Sequence, residues 1–261
     1  MFEGNPKSTI EAMSAGCVPV VSKIPNNIEI IENRKTGILF NYEDNLGELI
    51  ESLFQEKPTL FGAGRTDSGV HATGQVAHFD ITTKELDTYS IKTGLNHYLK
   101  IYPISILDVT EVDAEFHSRF DATERKYLYR IINRTSPLSI EKGRAWLVMK
   151  DLNLEKMQAC IPIIEGKHDF TTFRSVNCQS KSPVKTLNSC KITRQDDNIY
   201  FGFVAPSFLQ HQIRSIVGTI KMVGEELWDV ERFKEALVAK DRSKCGALAP
   251  AEGLYFMEVK Y

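Results

Sequence analysis

Residues 59–80 read TLFGAGRTDSGVHATGQVAHFD. Thr59-Leu60-Phe61 is a brief apolar strand that runs into Gly62-Ala63-Gly64-Arg65-Thr66-Asp67-Ser68-Gly69, and Gln75 to Asp80 alternates like a second strand. Three glycines in these eight residues call for backbone shapes that side chains forbid, so the loop is tight and lets a ligand come close. It presents one carboxylate, Asp67, fixed and exposed. Two readings of that carboxylate stand side by side, because an aspartate in a glycine-rich loop commonly caps a turn through its own side chain.

Downstream, periodicity supplies the frame of an α+β body. Residues 83–99 suit a helix, and Ile104 to Val112 suit a strand. Arg125 to Arg134, RKYLYRIINR, alternates with Tyr127, Tyr129 and Ile131 on one face. Residues 153–163 read as a helix. Cys190 to Arg194 and Ile199 to Val204, split by Gln195-Asp196-Asp197-Asn198, form a hairpin. Gln212 to Val223 is an apolar-periodic helix, 229–239 is another, and Leu254 to Tyr261 is a closing strand. Strands and helices thus come in two successive batches, which implies two related halves.

Upstream, the texture differs. Ser8-Thr9-Ile10-Glu11 has the form of a capping box, followed by a short helix through Ala15 and a stop at Gly16. Val18-Pro19-Val20-Val21 and Gly37-Ile38-Leu39-Phe40 read as short strands, and residues 44–55 place Leu46, Leu49, Ile50 and Leu53 on one helical stripe. Charge divides at the same place. The chain carries a net −2, but residues 1–56 hold four basic and nine acidic residues, which leaves a net of +3 for the remainder. An acidic head precedes a mildly basic body, and the distribution admits a nucleic-acid partner that the sum would not suggest.

Other classes are excluded by composition. The chain is 42% apolar and 25% charged, as globular proteins are. No apolar run approaches the roughly 18 residues that cross a bilayer, and the N-terminus lacks the basic-then-apolar pattern of a secretory leader. A cytoplasmic protein with no membrane association is expected. Cys17, Cys160, Cys178, Cys190 and Cys245 are odd in number and contain no CxxC pair, against both a disulfide framework and a zinc knot. His71 and His78 lack the i, i+4 spacing of a helical metal pair and read as ordinary polar histidines, so no metal site is expected.

GRTDSGVHATGQVAHF closely resembles the catalytic motif of the TruA-type tRNA pseudouridine synthases. The likeness continues through FHSRFDATERKYLYRI, GKHDFTTFR, CQSKSP, SFLQHQIRSIVGTIKMVG and LVAKDRSKCGALAPAEGLYF, in the family's order, over about 57–261. The resemblance implies an α+β pseudouridine synthase fold, with two related halves sharing a mostly antiparallel sheet flanked by helices. It implies isomerisation of uridine to pseudouridine in the anticodon stem-loop of tRNA, by a homodimer that needs no cofactor. By the same resemblance Asp67 is the catalytic nucleophile and Arg214 its paired cation. Tyr127 packs on the target base, Leu254 lines the pocket opposite, and Arg65 enters the space left by the flipped nucleotide. Arg119, Arg125, Lys126, Arg174, Lys181 and Lys185 are candidate contacts to the RNA backbone. His168 and Asp169 are read as serving the fold.

The head resembles something else. Glu3 and Glu11 match the E-x7-E signature of the C-terminal half of a GT-B glycosyltransferase, and Ala15-Gly16, Val18-Pro19-Val20-Val21 and Thr36-Gly37-Ile38-Leu39 follow in order. The organisation expected is therefore a glycosyltransferase-like fragment over 1–54, a truncated first half with the catalytic loop over 57–112, and a second half over 113–261. The opening strand and helix of the TruA type are missing from this reading. Helix 44–55 is expected to replace the helix, and the strand at 18–21 to fill the sheet edge. Two alternatives accompany the main reading: a catalytically impaired tRNA-binding chimaera, and a nucleotide-sugar-binding glycosyltransferase fragment.

Overall fold

The computed structural model describes residues 20–22, 38–40, 50, 51, 54, 56, 58–82 and 86–261. The expected capping box, its helix and most of the 44–55 stripe lie outside the described residues. The described residues gather into two compact units. One comprises those up to Leu60 together with Phe79–Phe116, and the other comprises Phe61–His78 with His117–Tyr261. The glycine-rich loop, expected in a 57–112 half, thus folds with the C-terminal residues.

In the first unit, β1 (Val20–Ser22) pairs in parallel with β2 (Ile38–Phe40). The strand expected to fill the edge of the main sheet instead takes a partner from the head itself. Ile50, Glu51 and Phe54 are helical, with Ile50 and Phe54 buried. Helix α1 (Thr88–Leu99) begins where the Asp87 carboxylate accepts from the Ser90 N–H and hydroxyl, at 2.9 and 2.6 Å, satisfying donors that a helix start leaves open. Ile91, Leu95 and Leu99, spaced four apart, form its buried stripe in one cluster with Ile50 and Phe54.

Residues 104–112, expected as a strand, join no ladder. The Asn96 carboxamide donates to the Ile106 carbonyl and accepts from its N–H, both at 2.8 Å. A side chain therefore supplies the bonds that a neighbouring strand would have given. Ile104, Ile106 and Val109 still pack on the cluster, which accounts for the apolar alternation.

The second unit is built on a six-stranded sheet. Its centre is β6 (Glu124–Asn133), which pairs antiparallel with β11 (Asn198–Ala205) on one side and β12 (Leu254–Lys260) on the other. Beyond β11 lies β10 (Ser189–Gln195), joined through a tight turn that puts Asp196 at φ 52°. β4 (His71–Ala72) runs parallel beside β12, and β7 (Trp146–Val148) runs parallel beside the end of β6. Two antiparallel pairs stand apart from this sheet: β3 (Phe61–Gly62) with β5 (Ala77–His78), and β8 (Gly166–Asp169) with β9 (Val184–Leu187).

One face of the sheet carries the core. Alternate residues of β11, namely Ile199, Phe201, Phe203 and Ala205, are buried with Tyr129 and Ile131 of β6 and Leu254 and Phe256 of β12. Helix α4 (Gln212–Gly224) adds Ile213, Ile216, Val217, Ile220 and Val223 to the same cluster, and α5 (Val230–Ala239) adds Phe233 and Leu237. The single helix expected over 153–163 is divided into α2 (Leu154–Gln158) and α3 (Ile161–Ile164). Pro162 explains the break, since its ring and missing N–H cannot sit inside a continuous helix. Gly218 brings α4 hard against the chain before β12: a Cβ there would lie 1.8 Å from the Ala247 carbonyl oxygen.

No helix among the described residues is long and apolar enough to cross a membrane. Cys160, Cys178, Cys190 and Cys245 are unbridged.

Candidate active site

The loop between β3 and β4 is fastened at both its peptide edges. The Ala63 N–H donates to the Val76 carbonyl at 2.8 Å, and the Gln75 side-chain amide donates to the Gly64 carbonyl at 2.7 Å. The Ala63 carbonyl accepts from two nitrogens of Arg125, at 3.1 and 3.0 Å. The turn at Asp67 is closed by backbone alone: the Val70 N–H donates to the Asp67 carbonyl at 3.0 Å, with Gly69 at φ 85°, a conformation open to glycine. The carboxylate takes no part in that turn. Among the described residues its partners are Arg214 and His211, so the carboxylate does not cap the turn.

Arg214 stands in the first turn of α4. Its Nη1 donates to Oδ2 of Asp67 at 2.7 Å while its Nε donates to the Ala249 carbonyl at 2.8 Å. The guanidinium is 13% exposed and the carboxylate 25%. The second bond is held in register because the Ala249 N–H donates back to the Arg214 carbonyl at 3.1 Å. A planar guanidinium gripped at two points is a fixed charge, which a flexible ammonium could not match.

His211 was not singled out from the sequence, yet its Nε2 lies 3.3 Å from the same Oδ2. Burial holds its imidazole below the ordinary histidine value. Asp67 pulls the other way, and the cations of Arg214 and Arg242 add to the lowering. The ring is thus neutral near pH 7. Its spacing, three residues before Arg214, does not reveal it, because His211 sits at the helix N-cap in a left-handed conformation, outside the helical repeat.

Tyr127, on β6, packs against Phe256 at a tilt and against Phe208 edge-on, with ring centroids 4.8 and 5.2 Å away. Gly64 faces its hydroxyl: a Cβ there would lie 3.3 Å from it. Burial pushes the phenol up to about 12, Arg125 pulls it down, and Asp67 raises it further, which places the ring within the field of the carboxylate. Leu254 opens β12 opposite Tyr129 and is 7% exposed. It follows the short turn Ala251–Gly253, and the Ala251 side chain is 3.4 Å from where a Cβ on Gly69 would sit. Arg65 is exposed and donates to the Gln179 side chain at 3.3 Å.

Two of the candidate RNA-backbone contacts are otherwise engaged. Arg125 is 8% exposed and donates to the carbonyls of Ala63, Arg119, Ala122 and Pro206. It ties the glycine-rich loop to the strand beneath and is turned away from solvent. Lys126 pairs with Glu258 at 2.6 Å. Arg119 and Lys181 are exposed. His168 and Asp169 make local bonds, to the Glu165 carbonyl at 2.8 Å and from the Thr171 N–H at 2.9 Å.

The fold and site together define a protein that presents one arginine-held carboxylate near a tyrosine packed among aromatic rings, on a sheet that is mainly antiparallel. Comparison with known proteins gives that class a family. The family model described as tRNA pseudouridine synthase matches residues 162–261. A protein of Ehrlichia canis called tRNA pseudouridine synthase A is 49% identical over 228 residues, covering 87% of this chain and 93% of the relative. Proteins of the same name from Ehrlichia chaffeensis and Parvibaculum lavamentivorans are 47% and 45% identical, over 84% and 83% of this chain and 90% and 87% of theirs. The chain belongs to the tRNA pseudouridine synthase family.

Proposed function

We propose that this protein isomerises uridine to pseudouridine in tRNA, with Asp67 as the nucleophile. The observation that carries the reading is the Arg214–Asp67 ion pair at 2.7 Å, assembled from a glycine-rich loop and a helix far apart in the chain. In this reading the carboxylate attaches to the target nucleotide and the bond from C1′ to N1 breaks. The uracil turns in place and C5 joins C1′; C5 gives up its proton, N1 gains one, and the bond between the Asp67 carboxylate and the nucleotide breaks, which restores the carboxylate. The product is an isomer of the substrate, so no redox partner or phosphoryl donor is consumed. Attachment cancels the charge of the carboxylate, and Arg214 keeps the Ala249 carbonyl as a partner while that happens.

The remaining residues take positions around that step. The Tyr127 ring packs on the uracil, and its phenol, raised to about 12 by burial, stays protonated at working pH and offers a donor. Leu254 closes the opposite side of the base. Swinging a nucleotide out of its stack costs a few kcal/mol, and Arg65, exposed beside the loop, fills the place it leaves. The anticodon stem-loop as target, a homodimer and a cytoplasmic location belong to this reading through the family.

The head receives no separate activity. The match to the Ehrlichia canis protein is longer than the stretch from Lys57 to the C-terminus, so it reaches into residues that otherwise resemble a glycosyltransferase. The formed ion pair also favours turnover over a version that binds tRNA without reacting. Incubation with a tRNA transcript labelled with tritium at uridine C5 tests the reading. Release of tritium to water, with pseudouridine found on digestion, is expected; tRNA binding without release would leave the binding-only alternative.

A further inference from the structure

His211 has no part in the reading above, yet with Arg214 it is one of the two described residues that reach the Asp67 carboxylate. Its backbone is left-handed, at φ 66°. The other described non-glycine residues in that region have ordinary reasons: Asp196 closes the β10–β11 turn, and Glu226 and Lys240 follow the ends of α4 and α5, where a left-handed residue terminates a helix. His211 takes the N-cap position of α4, where its carbonyl accepts from the Ser215 N–H at 2.8 Å but its side chain makes no capping bond. The turn that holds it is closed by Gln212, whose N–H donates to the Leu209 carbonyl at 3.1 Å and whose side-chain oxygen accepts from the Leu209 N–H at 2.8 Å. Glycine would occupy this corner without strain. A strained, half-buried residue beside reacting groups points to a side chain kept for its function.

Arg214 and His211 both meet Oδ2, and among the described residues Oδ1 has no partner. We propose that His211 is a positioning residue that, together with Arg214, pins Oδ2 of Asp67 so that Oδ1 alone is turned toward the nucleotide. The proposal rests on the reading of Asp67 as nucleophile. An imidazole suits the task because it brings a polar ring nitrogen to 3.3 Å from Oδ2 without a second positive charge. Burial keeps the ring neutral, so only Arg214 is left as a cation once attachment has cancelled the charge of Asp67.

The test uses the full chain and an unmodified tRNA transcript. Single-turnover rates at saturating tRNA, tRNA affinity and melting temperature are compared for wild type, His211→Ala, His211→Gln and His211→Gly. His211→Ala is expected to react roughly 10–100-fold more slowly, the order of loss that misplacing a reacting group produces, with tRNA affinity unchanged. His211→Gln, which keeps an N–H donor, recovers part of that rate. His211→Gly is as slow as the alanine variant but melts higher than wild type, because strain is relieved. A wild-type rate in His211→Ala, or slowing that merely follows weaker tRNA binding or a lower melting temperature, overturns the proposal. Wild-type protein that makes no pseudouridine would overturn the reading of Asp67 and this proposal with it.

Discussion

Arg214 meets Oδ2 of Asp67 at 2.7 Å without releasing the Ala249 carbonyl, which its Nε holds at 2.8 Å. The guanidinium therefore bridges the glycine-rich loop and the chain that leads into β12. Lysine can supply the charge but not both bonds in one plane. Arg214→Lys should lower the single-turnover rate by about 10²-fold, the scale for losing one preorganised donor. Tritium release at saturating tRNA measures it, and a variant within a few-fold of wild type would contradict the role.

Arg125 serves four carbonyls from a nearly sealed position. Removing it strands buried acceptors, each costing about 1–3 kcal/mol. Arg125→Met should lose at least about 2 kcal/mol of stability in urea unfolding on that basis. The salt dependence of tRNA binding should keep its slope, because no phosphate contact is lost. A shallower slope at unchanged stability would return Arg125 to the RNA surface.

At Gly218 a methyl group meets the Ala247 carbonyl at 1.8 Å, and backbone on both sides leaves little room to yield. Gly218→Ala should destabilise by about 1–3 kcal/mol or more, as overpacking does. It should also slow the reaction, because the displaced segment holds the carbonyl that steadies Arg214. Urea unfolding and single-turnover rates check the two effects; a neutral variant would contradict the packing described.

Tyr127 couples stability to alkaline pH. Burial raises its phenol to about 12 from an ordinary value near 10, so the folded protein holds this proton more tightly than the unfolded chain does. The stability linked to it is complete below about pH 10 and drains away between about pH 10 and 12. Wild type should therefore lose more stability than Tyr127→Phe when the pH is raised from about 9 to about 11. Equal losses in urea unfolding would show that the phenol is not buried as described.

Legibility in the sequence followed the strength of the local signal. The hairpin of β10 and β11, strand β6, helix α4 and strand β12 fall within a residue or two of their expected bounds, because alternation and helical periodicity act along a continuous face. The 104–112 segment misled because its apolar residues are buried while its bonds come from Asn96, a partner that no pattern within the segment reveals. The pattern over 153–163 hides the break at residues 159–160 that Pro162 imposes just ahead of itself, and the three- and four-residue strands β7, β8 and β9 carry too few residues to show a period. At the site, the family motifs named Asp67 and Arg214 individually, and the fold joined them. Arg125 was misread as an RNA contact because a basic residue beside Lys126 looks solvent-facing until its carbonyl partners are known. His211 was passed over because its place depends on a left-handed turn that one histidine in SFLQHQIRS does not announce.

The account depends most on the Asp67 carboxylate as the reacting group, and one substitution isolates it. Asp67→Asn keeps shape and volume but gives up the charge and most of the nucleophilicity. Pseudouridine formation in a tRNA transcript, read as tritium released from C5, should be abolished. Affinity for the same tRNA should stay within about an order of magnitude, since phosphate contacts dominate it. An asparagine variant that still releases tritium from tRNA would contradict the account.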